Sequence, residues 1–166
     1  MSQYFSLFGL PPQFDTDTAE LEKRYRALAA QCHPDKTATQ SAFEQKQAVM
    51  MAAAVNEAYR ILKNPIDRAA YLLREVHRTD ADAPEHTSFA AEFLMQQMQW
   101  REELDDARGN EAALNALNRE LAAAHHALTD ELAAAFAAGD SEAAAELVRR
   151  GRFLNKLQQE IQTAMP

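Results

Sequence analysis

The chain has 166 residues and a net charge of −8; 47% of its residues are hydrophobic, 25% charged and 8% aromatic. This is the balance of one globular domain or two small ones, and it excludes wholesale disorder; 4 Gly and 6 Pro exclude collagen-like and linker-like chains. No run of about 18 apolar residues offers a membrane span, no signal peptide is visible, and the single cysteine, Cys32, leaves neither an internal disulfide nor a cysteine-based zinc site, so a cytosolic protein is expected.

The charge is uneven. Residues 1–78 carry 10 Lys and Arg against 9 Asp and Glu, a net +1, whereas residues 79–166 carry 7 against 16, a net −9. A chain this acidic is a poor general binder of nucleic acid, where affinity comes mostly from phosphate neutralisation. The asymmetry points to two parts meeting different partners. The plainer alternative is that acidic helix faces keep the protein soluble.

Nothing reads as a strand, because β-branched residues are sparse and period-2 alternation is absent. Ala is abundant, above all after residue 110, and is the best helix former. Residues 4–8 form a short apolar helix or turn, stopped by Gly9-Leu10-Pro11-Pro12. Asp17 caps a second helix that runs to about Gln31, with Glu20 completing a capping box. Leu21, Tyr25, Leu28 and Cys32 make one buried stripe on it, and Lys23, Arg24 and Arg26 face outward. Pro34 ends this helix at or before His33. A polar loop from His33 to about Ser41 follows. The next helix spans about 42–63, with Phe43, Met51, Val55, Ala58 and Leu62 on its stripe and Tyr59 and Ile61 at the edges. Asn64-Pro65 breaks it and opens another helix to about Val76.

Residues 77–87 are polar, contain Pro84 and read as a linker. Three long helical patterns follow, at about 88–108, 111–138 and 142–164. Gly109-Asn110 separates the first two, and Gly139 with Asp140 or Ser141 the last two. Their short connections imply antiparallel neighbours and a three-helix bundle. The fold class expected is all-α, a helical hairpin followed by a three-helix bundle.

His33-Pro34-Asp35 lies between two amphipathic helices. A basic-faced helix precedes it, and Asn56-Glu57-Ala58-Tyr59-Arg60-Ile61-Leu62 follows. With Tyr4-Phe5, Leu7-Phe8-Gly9-Leu10, Lys36, Asn64-Pro65 and Arg68-Ala69-Ala70-Tyr71-Leu72-Leu73, residues 1 to about 76 resemble a J-domain, the DnaJ-type module that recruits and stimulates DnaK-like ATP-dependent chaperones. Physically, proline stiffens the tip at low entropy cost on binding. An Asp35 carboxylate projecting from a fixed turn can meet an arginine of a partner. Lys23, Arg24, Arg26 and Lys36 supply a positive face that steers toward an acidic patch. The plain alternative is a proline turn in which Asp35 caps a local N–H and the basic helix is merely solvated.

In the second half, Phe89, Phe93, Trp100 and Leu104 share a narrow arc, the natural core stripe. Leu94, Met95 and Met98 fall on other faces, edged by Glu102 and Asp106, and adaptable Met side chains on a surface suit docking. The alternative is that Leu94 and Met98 pack on a neighbouring helix, since a bundle needs a wide stripe. Phe153, at the edge of the Leu147–Leu154–Leu157 stripe, joins that patch or fills the bundle.

Phe93-Leu94-Met95-Gln96-Gln97-Met98, Arg101-Glu102-Glu103-Leu104-Asp105 and Arg152-Phe153-Leu154-Asn155-Lys156-Leu157 resemble the C-terminal domain of the HscB family, the J-type co-chaperones of iron–sulfur cluster assembly. With the J-domain, the resemblance covers nearly the whole chain. It implies a bridge: a J-domain that engages HscA, a DnaK-like chaperone, and a bundle that binds IscU, the scaffold on which clusters are built. Carried over by motif, the scaffold-contacting positions are Leu94, Met95, Met98, Gln99, Glu102, Asp106 and Phe153. Gln99 stands where an acidic residue is expected, and Met98 where Leu is more usual. Some eukaryotic relatives add a cysteine pair for zinc; this chain starts at the J-type segment, so a bacterial-type member without metal is expected. No other cofactor is expected, and the chain is expected to be a monomer.

An enzyme is not expected. No nucleophile has a convincing neighbouring base, no Gly-rich phosphate loop is present, and His125 and His126 point about 100° apart on a helix, wrong for two ligands on one face. Two other readings remain. One is a J-protein of a general DnaK-type chaperone with a different client. The other is a helical nucleic-acid adaptor using Lys23, Arg24 and Arg26, against which the acidic second half argues.

Overall fold

A computed structural model describes residues 3–80 and 89–166. Eight helices occur among the described residues, and no strand. The chain divides into two compact units, 1–78 and 79–166. The expected linker, 77–87, lies outside the described residues from 81 onward.

In the first unit, α1 (Gln3–Leu7) is followed by α2 (Thr18–Gln31), α3 (Pro34–Thr37), α4 (Ala42–Lys63) and α5 (Pro65–Glu75). Asp17 starts α2 as expected, accepting from the Ala19 and Glu20 amides at 3.1 Å each. The capping box does not close: Glu20 turns along the helix and accepts from Arg24 Nε at 2.8 Å. At the other end of α4, the Asn64 side chain accepts from the Ile66 and Asp67 amides, at 2.9 and 3.2 Å, and Pro65 takes the first turn of α5, where a missing N–H costs nothing.

α4 is the spine against which α1, α2, α3 and α5 pack. Phe5, Leu21, Val55, Leu62, Ile66 and Leu72 form the buried centre. Tyr4 stacks on Tyr71 at 4.7 Å, and the Tyr4 amide donates to the Tyr71 hydroxyl at 3.0 Å. Arg68 is buried and, among the described residues, makes no direct ion pair, the Asp15 charge acting on it only from farther off. Its Nε donates to the Phe14 carbonyl (2.9 Å), its Nη1 to the Leu62 carbonyl (2.8 Å), and the guanidinium lies over the Phe14 ring. That staple ties the α1–α2 connection to the α4–α5 corner, and burial pushes the guanidinium pKa down.

Two expected stripes are only partly sealed. On α2, Leu21 is buried, but Tyr25, Leu28 and Cys32 are half-buried. On α4, Phe43 and Met51 are exposed, and the buried residues are Val55, Ala58 and Leu62. Length explains the open end of α4 at Phe43. At about 1.5 Å per residue, the 14 residues of α2 reach about 21 Å and the 22 of α4 about 33 Å, so α4 outruns its cover. Periodicity still places Phe43 on a face; no neighbour is long enough to reach it.

The second unit is a three-helix bundle of α6 (Phe89–Ala107), α7 (Glu111–Ala137) and α8 (Ser141–Ala164), with each pair in contact and α7 and α8 packing most extensively. Gly109 and Gly139 take positive φ, 81° and 71°, ahead of the caps. Asn110 then accepts from the Ala113 amide at 3.2 Å, and Asp140 from the Ala143 amide at 3.0 Å. Leu104, Leu114, Leu121, Leu132, Leu157 and Ile161 are fully buried. The expected Phe89 member of the core stripe lies outside the described side chains, whereas Trp100 is buried and its Nε1 donates to Glu120 at 3.2 Å. His125 is half-buried on α7. Burial holds its pKa below the usual value, opposed by a hydrogen bond with Asn155 of α8. His126 is exposed, 3.5 Å from Asp130.

Candidate functional site

The segment after His33 is not the open loop expected from its polarity. It winds into the single turn α3, because Pro34 fixes φ for a first helical position and His33 caps it. The His33 ring accepts from the Asp35 amide through Nδ1 at 3.2 Å, with the Asp35 carboxylate 3.5 Å away. The Asp35 side chain is 92% exposed and that of His33 59%. The alternative in which Asp35 caps a local N–H is thus not what is seen: His33 does the capping, and among the described residues no Lys or Arg pairs with the Asp35 carboxylate.

The four cations named with this turn separate into two kinds. Lys23, Arg26 and Lys36 are exposed, with Arg26 paired to Glu22 at 2.7 Å. Arg24 faces inward, contrary to expectation. Its Nη1 donates to the carbonyls of Phe8 (2.7 Å) and Gly9 (2.8 Å), and its Nε to Glu20. Gly9 adopts φ +62°, and a side chain there would meet Arg24 Nη1 at 3.2 Å. The hairpin itself is closed by a contact that sequence spacing did not single out: Tyr25 OH donates to Asn56 Oδ1 at 2.7 Å, and the Tyr25 ring meets Tyr59 edge-on at 4.0 Å.

In the second unit, Leu94, Met95 and Met98 are 57%, 70% and 65% exposed. Leu94 and Met98 therefore do not pack on a neighbouring helix. Gln99, Glu102 and Asp106 are exposed beside them, with Gln99 Nε2 donating to Glu103 at 3.1 Å. Met95, Met98, Gln99 and Glu102, with Glu92 and Gln96, line a depression of about 490 Å³ along α6. Phe153 is half-buried in a cluster of its own: edge-on to Phe93 at 5.9 Å, stacked with Trp100 at 6.4 Å, and beneath the Arg101 guanidinium at 5.6 Å. Among the described residues, no group of three or more His, Cys, Asp or Glu is placed to hold a metal ion.

Both units match known families. Residues 3–71 match the DnaJ domain, and residues 90–162 match the domain described as the HscB C-terminal oligomerisation domain. The chain is 58% identical over 167 residues to the co-chaperone protein HscB homologue of Neisseria meningitidis serogroup A, covering 99% of this chain and 100% of that one. The chain belongs to the HscB family of co-chaperones. The HscB homologue of Bordetella pertussis is 44% identical over 164 residues, covering 98% and 96%. Among solved structures, HscB from Vibrio cholerae superposes with a TM-score of 0.79 at 37% identity, covering 96% and 95% of the two chains. Human co-chaperone HscB gives 0.81 at 30% identity, covering 96% and 82%. In HscB terms, the first unit carries the J-domain and the second the C-terminal domain of the family. Among the described residues, no helix is long and apolar enough to cross a membrane.

Proposed function

We propose that this HscB-family chain bridges two proteins: an HscA-type DnaK-like chaperone, engaged by the J-domain, and an IscU-type iron–sulfur scaffold, held by the bundle. In this reading the J-domain comprises 1–76, residues 77–87 connect, and 88–166 bind the scaffold. The chain supplies binding and orientation and no reacting group; ATP hydrolysis belongs to the chaperone.

The observation that carries the reading is the Asp35 carboxylate. It is 92% exposed on a turn whose backbone is held by Pro34 and the His33 cap. A carboxylate offered in one position meets an arginine of the chaperone at little ordering cost, and the charged bond is stronger than a neutral one. Lys23, Arg26 and Lys36 steer the approach. Leu94, Met95 and Met98, with Gln99, Glu102 and Asp106 at the margin and Phe153 contributed from α8, give the scaffold an apolar centre with an acidic rim. Holding both partners on one chain raises the effective concentration of scaffold at the chaperone.

Steady-state ATP hydrolysis by a purified HscA-type chaperone tests this. The full chain and an IscU-type scaffold together are expected to stimulate more than the sum of either alone. His33→Gln is expected to lower stimulation at least about tenfold, equivalent to about 1.4 kcal/mol, with scaffold binding and the helical circular dichroism unchanged. A folded His33→Gln chain that stimulates normally would remove the chaperone half of the proposal. Stimulation indifferent to scaffold would remove the other half and leave a J-protein with a different client.

A further inference from the structure

Phe153 is the one scaffold position named above that lies on α8 and not on α6, and its ring is clamped. Trp100 stacks against it and Phe93 meets it edge-on. The Arg101 guanidinium lies over it at 5.6 Å. Arg101 is itself held: its Nη1 donates to Glu160 of α8 in a short charged contact. Phe153 and Glu160 are seven residues, two turns, apart and so share a face of α8.

On α6, Arg101 lies about 20° from Leu94 and about 60° from Met98 around the helix axis. It therefore stands between the exposed apolar residues of α6 and the Phe153 ring. A guanidinium over an aromatic face is attracted by the ring quadrupole. An arginine free at its tip would leave that face much of the time, since the side chain has many rotamers. The Glu160 carboxylate removes that freedom. Arg101 and Glu160 retain 39% and 31% of their side-chain exposure, and an ion pair this open adds little to folding stability. Stability alone thus accounts poorly for the arrangement.

We infer that Arg101, held by Glu160, is a positioning residue that fixes the Phe153 ring at the margin of the Leu94–Met98 surface, so that the scaffold meets a preformed apolar face. The inference rests on the scaffold reading above. It assigns Arg101 no contact with the scaffold; its effect passes through Phe153, which spares the scaffold the cost of ordering that ring on binding.

The test uses the full chain, with and without a purified IscU-type scaffold. Arg101→Met keeps the length and apolar stem and removes the charge; Glu160→Gln keeps Arg101 and weakens its anchor. Without scaffold, aromatic NMR relaxation of 13C-labelled Phe153 is expected to show a more mobile ring in both variants. With scaffold, Arg101→Met is expected to weaken binding about two- to fivefold and Glu160→Gln by less, with the melting midpoint of the bundle little changed. In a Phe153→Ala background, Arg101→Met is expected to add nothing, as a residue acting through Phe153 must. Unchanged ring dynamics in both variants would overturn the inference. An equal loss of affinity in the Phe153→Ala background would also overturn it, by showing that Arg101 touches the scaffold itself. A mobile ring in the variants of a chain that does not bind scaffold at all would overturn the scaffold reading, and with it the purpose assigned here to the clamp.

Discussion

The turn at His33 and the exposed face of α6 present the binding groups proposed for them in opposite ways. The turn is polar and local. Three consecutive residues set it: Pro34 supplies the φ, the His33 ring holds the Asp35 amide, and the Asp35 carboxylate is left in water. The α6 face is apolar and non-local. Leu94, Met95 and Met98 are open only because α7 and α8 cover a different arc of the helix, and the Phe153 ring of α8 packs instead on Phe93 and Trp100 of the same α6. A polar docking group thus needs a short stretch of chain to hold it. An apolar one needs a whole bundle whose packing stops short of it.

The difference predicts different consequences for substitutions on one helix. Leu104→Ala, at a fully buried position, is expected to cost the bundle about 2–5 kcal/mol. Met95→Ala, on the open face, is expected to stay within about 0.5 kcal/mol of wild type and yet weaken scaffold binding. Trp100 is the single tryptophan and is buried in the bundle, so its fluorescence during urea unfolding reports on this unit. Equal stability losses at the two positions would make Met95 a core residue and end the contrast.

Much of the frame was legible in the residues. Caps at Asp17 and Asp140, the breaks at Asn64-Pro65 and Gly109-Asn110, and the periodic leucines of α7 mark helices whose ends the structure reproduces closely, because caps, breakers and periodicity are local physics. The turn α3 was missed since a four-residue polar segment has no period to read. Phe43 was misplaced because periodicity identifies a face without telling whether a neighbour is long enough to cover it; Met51, on the same face, is also exposed. The outward reading of Arg24 failed for a related reason: the carbonyls it binds lie 15 and 16 residues away. Glu160, 59 residues from Arg101, left no local trace at all. For the candidate site, residue types were legible at both regions, but exposure and clamping were not, and these decide which side chains can meet a partner.

Arg24 and Arg26 sharpen the contrast inside the first unit. Arg24→Ala removes donors from two backbone carbonyls and is expected to cost about 1 kcal/mol, after allowance for its partial exposure. Arg26→Ala is expected to cost less than about 0.5 kcal/mol, as its pair with Glu22 lies open to water. Chaperone stimulation is expected to reverse the order. Arg26→Ala should raise the concentration needed for half-maximal stimulation about two- to fivefold at low salt and by less as salt rises. Arg24→Ala, assayed well below its melting point, should leave that concentration near wild type. If Arg24→Ala proves the more damaging to stimulation while remaining folded, the inward arginine is part of the docking face after all.

The smallest effect is expected where the second unit hides a titratable group in its α7–α8 seam. Burial holds the His125 pKa below its ordinary 6.5, so the neutral ring is favoured in the folded chain. As pH falls through about 6.5, the unfolded chain takes up the proton first. The stabilising contribution is therefore complete above that pH and is lost progressively as pH falls toward the folded-state value. Carboxylates also titrate as pH falls, so the informative quantity is a difference. Between pH 7.5 and 5.5, the wild-type bundle should lose more of its Trp100-detected stability than His125→Gln, whose amide is neutral throughout. The melting of the J-domain, followed by hydrogen exchange of α2 and α4 amides, should not respond to the substitution. Equal losses in the two chains would mean that the seam does not discriminate against the charged ring.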